Sequence, residues 1–140
     1  MTPLERITER VTRLGDPDDP STPRPLLSIQ EFFDGNDVIG SIGCNLPGEP
    51  SPSQLRAVLE NVARRPDVKD VRVRITAFDN PEWPFADTVF IMTTAEPEEV
   101  AEWFPEDLAP DETWEGFHQD EPYEPYTPPA GYKVVACWWD

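Results

Sequence analysis

Few residues in this chain have the chemistry for catalysis. The lone histidine, His118, lies in the acidic run EGFHQDEPY. Carboxylates there are expected to raise its pKa and keep it a cationic imidazole rather than a general base. Cys44, in SIGCNL, and Cys137, in VVACWW, occupy apolar, strand-like contexts where free thiols pack as small hydrophobes, and neither has an adjacent His or Lys to activate it. No G-x-S-x-G elbow is present, and the GSIG segment is neither a dinucleotide fingerprint nor a phosphate loop. Gly40 and Gly43 instead suit a close approach of a large side chain to the backbone.

Neighbouring carboxylates such as Asp111 and Glu112 have the types for acid–base hydrolysis, which needs one of them buried with a raised pKa. Their setting shows no sign of burial. The acids also lack the D-x-D-x-D-G spacing of a calcium loop. No catalytic residue, metal site or cofactor is therefore expected.

What remains is an acidic stretch interleaved with aromatics. Between Ile75 and Tyr132 there is no Lys or Arg, while fifteen Asp and Glu fall there, in a chain whose net charge is −17. A field of one sign repels nucleic acid and anionic membrane and steers cationic partners. Trp114, Phe117, Tyr123 and Tyr126 sit among Asp111, Glu112, Glu115, Asp120, Glu121 and Glu124, in a segment that includes Pro122 and Pro125. Rigid aromatic anchors ringed by charge are how tight interfaces are commonly built, so these ten residues form the expected partner-binding set, and a basic protein is the expected partner.

The elements that would position this set follow from periodicity. Leu4, Ile7, Val11 and Leu14 make an apolar stripe, so residues 1–15 read as an amphipathic helix. Prolines at 17, 20, 23 and 25 make residues 16–25 an extended linker, which leaves that helix an appendage to a body spanning 26–140. Ser28 and Glu31 have capping-box spacing and predict a helical turn. DVIGSIGCN reads as a short apolar strand. A helix follows, with Leu55, Val58, Leu59 and Val62 on one face. KDVRVRITAFD alternates, with Val71, Val73 and Ile75 opposite Asp70, Arg72 and Arg74. ADTVFIMTT is a strand, EPEEVAEWF a helix, residues 105–132 a long loop with a helical turn near Asp111, and YKVVACWW the last strand.

The order β-α-β-β-α-β predicts an α+β domain of ferredoxin-like type with an N-terminal helical extension. The last strand is apolar on both faces, so its outer side requires a cover. The N-terminal helix, the long loop or a second subunit in a homodimer could each supply one. No apolar run approaches the roughly 20 residues that span a bilayer, and the N-terminus lacks an export signal, so a cytoplasmic protein is expected.

The run WPFADTVFIMTTAEPEEVAEWF, the segment LAPDETWEGF and the ending PPAGYKVVACWWD resemble a group of small acidic bacterial proteins with a W-P-x-x-D strand and a terminal W-W-D. That resemblance implies no activity. In size and acidity the chain also resembles immunity proteins that neutralise toxins. The expected function is thus a non-enzymatic binding protein that docks on or sequesters a basic protein. The alternatives are a small-molecule binder or carboxylate enzyme, favoured by a buried carboxylate in a closed pocket, and a nucleic-acid mimic.

Overall fold

A computed structural model of the chain describes residues 1–118 and 121–140. It contains α1 (Pro3–Leu14), β1 (Leu26–Leu27), α2 (Ile29–Phe33), α3 (Pro52–Ala63), β2 (Val68–Ala77), β3 (Phe85–Thr93), α4 (Pro97–Ala101), a 3-10 turn (Glu106–Leu108), β4 (Glu112–Glu115) and β5 (Lys133–Trp138). The helix starts follow local chemistry. Thr2, Ser28 and Ser51 each cap a helix and close a reciprocal box with Glu5, Glu31 and Gln54, satisfying backbone donors that a first turn leaves open.

The strands form one antiparallel sheet in the order β1-β2-β3-β5-β4. The class is α+β. The ferredoxin-like strand order is not what the sheet has. Residues 37–45, expected as a central strand, form a loop that touches the sheet only through a bridge between Ile42 and Ala86, so β3 and β5 pair directly. The reason is local. Gly40 and Gly43 take φ of 88° and 65°, conformations a strand does not contain. A Cβ on Gly43 would come within 2.7 Å of Leu46, so the residue also allows a close packing contact.

The predicted alternation of β2 holds and sorts the molecule into two cores. The inner face carries Val71, Val73, Ile75, Val89, Ile91, Val135 and Cys137 against α2 and α3. Ile7 and Val11 of α1 belong to that same core, which corrects the expectation that α1 is an appendage across a linker. Cys137 is buried, and burial pushes its thiol up, whereas Cys44 is exposed, contrary to its apolar sequence context. The outer face carries a second core of Leu26, Phe90, Met92, Val134 and Ala136.

The chain itself covers that outer face. After β4, at one edge of the sheet, it runs to the opposite edge, where Tyr123 bridges to Arg24 just ahead of β1. It then turns back past β2 and enters β5 at Lys133. Of the three covers the sequence allowed, the long loop is the one used. The unsatisfied apolar face that motivated a homodimer is closed by the chain's own strap.

Candidate functional site

Two regions gather the residues with functional chemistry, and they differ in how far their charge is neutralised. The first is the outer face under the strap. Arg74, on the outward side of β2, is 5% exposed. Its Nη2 donates to Asp87 at 2.9 Å and to Thr76 at 3.2 Å, and its Nη1 pairs with Glu121. Asp87 also accepts from the hydroxyls of Thr76 at 2.8 Å and Thr88 at 2.9 Å. Arg74 Nε finds no acceptor among the described residues.

His118 lies 3.3 Å from the Thr88 hydroxyl and packs edge-on against Trp114 and Phe90. Burial, and then the Arg74 charge, hold its pKa below the ordinary value; Glu121 and Asp87 oppose this more weakly. The direction is opposite to the sequence expectation, because burial and the Arg74 guanidinium outweigh the Glu121 and Asp87 carboxylates. Thr88 sits between a carboxylate and an imidazole, the arrangement of an activated hydroxyl, but it is wholly buried beneath the strap.

His118 has a consequence for pH. A group whose folded pKa lies below its unfolded one takes up its proton first in the unfolded chain, so stability falls as pH drops through the unfolded value. Thermal midpoints measured between pH 7.5 and 5.5 are expected to fall less in His118→Gln than in the parent chain, the difference opening as pH passes below about 6.5.

The expected partner-binding aromatics belong to this outer face. Trp114, Phe117, Tyr123 and Tyr126 are half-buried against the second core rather than free. Phe117 and Tyr123 meet Phe90 edge-on with ring centroids 4.8 and 5.6 Å apart. The Tyr126 hydroxyl donates to Asp70, and the Arg72 guanidinium lies 5.3 Å from its ring centre. Burial and the Asp70 carboxylate together push the Tyr126 hydroxyl up to about 12. Glu124 pairs with Arg10 of α1 and accepts from the Leu26 amide at 2.6 Å. Asp120 lies outside the described residues.

The second region is the end of the molecule made by α4, the 3-10 turn and β4. Thr113 ties it together by donating to the Pro97 carbonyl at 3.1 Å. Glu98, Glu102, Glu106, Asp107, Asp111 and Glu112 are exposed here. None of them takes part in an ion pair among the described residues; Lys133 pairs instead with Glu96 and Glu115. Asp111 accepts the Asp140 amide at 2.7 Å, and the others keep their carboxylates free for solvent or a partner. Of the ten expected residues, Asp111, Glu112, Trp114 and Glu115 fall in this region, Trp114 packing against the second core. The expected set does not include Glu98, Glu102, Glu106 and Asp107, which α4 and the 3-10 turn bring to the same end of the molecule as β4.

Among the described residues, no group of three or more His, Cys, Asp or Glu could hold a metal ion, and no helix is long and apolar enough to cross a membrane.

Comparison with known proteins places the chain. The model of the family described as "Uncharacterized protein YfbO family" matches residues 2–137. The chain belongs to the YfbO family. It is 49% identical, over the full length of both chains, to a protein of Escherichia coli (strain K12) described as "Uncharacterized protein YfbO". No solved structure matches. The match to the family covers the residues of α1, the strap and the α4–β4 end alike.

Proposed function

We propose that this YfbO-family chain is a non-enzymatic acidic binding protein that docks on a basic protein partner. The observation that carries this reading is the contrast between its two acidic regions. The strap acids Glu121 and Glu124 are neutralised internally by Arg74 and Arg10, whereas Glu98, Glu102, Glu106, Asp107, Asp111 and Glu112 of the α4–β4 end stand exposed with no ion-pair partner among the described residues. Holding like charges together costs stability, and a basic surface relieves that cost on binding.

The proposed docking surface is therefore the α4–β4 end, and the strap aromatics support it from beneath the fold rather than as anchors. An immunity-type inhibitor, whose acids occlude the Lys or Arg of a toxin, is the specific form of this reading that the size and charge favour. The cytoplasm is the proposed compartment. A small-ligand or carboxylate-enzyme reading has less support, because the carboxylates of the α4–β4 end stand exposed rather than buried in a closed pocket.

The test is to recover the tagged chain from a lysate of its source at low ionic strength, identify what a salt step releases, and measure the purified pair. The association rate is expected to fall by about ten-fold or more as ionic strength rises from low to physiological. An association rate indifferent to salt would sink the reading.

A further inference from the structure

We infer that the arginine-lined groove under the strap is a docking site for an extended acidic peptide carrying aromatic residues, and that the chain's own segment 121–126 occupies it as an internal ligand. In a chain of net charge −17, the guanidinium groups of three of the eleven basic residues meet the one segment EPYEPY. They come from separate elements: Arg10 from α1, and Arg72 and Arg74 from β2. Glu121 pairs with Arg74 and Glu124 with Arg10, Tyr126 lies against Arg72, and the backbone of Tyr123 bridges to that of Arg24.

The mode of contact is that of a peptide added to a sheet edge. The Arg24 amide donates to the Pro122 carbonyl at 2.9 Å and the Glu124 amide to the Arg24 carbonyl at 3.0 Å, while Tyr123 fills an aromatic floor made by Phe90. Backbone pairing supplies affinity and alternate side chains supply selection in such sites. The internal ligand does not fill the site, since the buried Arg74 keeps an Nε–H with no acceptor among the described residues. A ligand carboxylate that engages the guanidinium through Nε as well would bind better than Glu121 does.

Gly116 and Gly131 bracket the strap with φ of 102° and 85°, a left-handed backbone that favours glycine, and a Cβ added at either would meet nothing within 4 Å. The sign of this groove is opposite to that of the α4–β4 end, so the two surfaces take partners of opposite charge.

The probe is a fluorescein-labelled peptide EPYEPYTPP, the sequence of residues 121–129, with QPYQPYTPP as its uncharged counterpart. Titrated by fluorescence anisotropy, the chain carrying Glu121→Gln and Glu124→Gln is expected to bind the acidic peptide about ten-fold or more tighter than the parent chain does, because its internal competitor is weakened. It should also prefer the acidic peptide to the Gln peptide. Equal binding by parent and variant, or no preference between the peptides, would overturn the inference. If the double variant fails to fold, Glu121→Gln alone carries the comparison. Loss of folding in that variant too would equally overturn it, since a segment that cannot be loosened without unfolding is not a displaceable ligand.

Discussion

Replacing Arg74 with Met is expected to cost about 3–5 kcal/mol of stability, read as a lowered urea midpoint with little change in slope. Arg74 is buried with Asp87 and Glu121 as its ionic partners, and Asp87 is itself mostly shielded beneath the strap. Removing the guanidinium leaves the Asp87 carboxylate with only the hydroxyls of Thr76 and Thr88 for neutralisation. Uncompensated buried charge is what makes such a deletion severe. The double variant Arg74→Met, Asp87→Asn should therefore recover much of the loss, because it removes the stranded charge along with the cation. If the single and double variants are equally unstable, the charge argument fails and the loss comes from packing.

Truncation of Phe90 to Ala is expected to cost about 3–5 kcal/mol and to loosen the strap before the rest of the sheet. Phe90 is fully buried and stands edge-on to Phe117, Tyr123 and His118. It is the side chain on which the strap's rings converge, whereas the inner core reaches β3 through Val89 and Ile91. Amide hydrogen exchange should accordingly rise across the strap more than across α3. Uniform acceleration over the whole chain would show that the two faces unfold as one unit and that the outer core has no separate identity.

Much of this architecture is legible from residue spacing, and the failures have physical causes. Strong periodicity marks α1, α3 and β2, where several turns or an alternating run of Val, Arg and Ile repeat one pattern. The two edge strands escape notice because Leu26–Leu27 and Glu112–Glu115 are too short for any period to register. Segment 37–45 misleads in the other direction. Its Val38, Ile39 and Ile42 read as strand, yet the glycines between them set a looped backbone.

The strap is a different kind of miss. An irregular segment contributes one ring or carboxylate at a time, so periodicity cannot tell a side chain that covers a sheet from one that awaits a partner. The clue lay elsewhere in the chain. Phe90, Met92, Val134 and Ala136 share a face that must be covered, and Arg74 on the same face, with Arg10 of α1, calls for acids. Tyr123 answers the first demand, and Glu121 and Glu124 the second. The acids of the α4–β4 end answer neither, which is why the proposed docking surface rests on them.

The most direct test of that division compares what three tagged chains retain from a lysate of their source at low ionic strength: the parent, a variant with Gln at Glu98, Glu102, Glu106 and Glu112, and a strap variant with Gln at Glu124. A stoichiometric basic protein, held by the parent and the strap variant, released by salt and lost from the α4–β4 variant, is the predicted result. Retention of the same protein by all three chains, or its loss only when Glu124 is changed, would contradict the assignment of the docking surface.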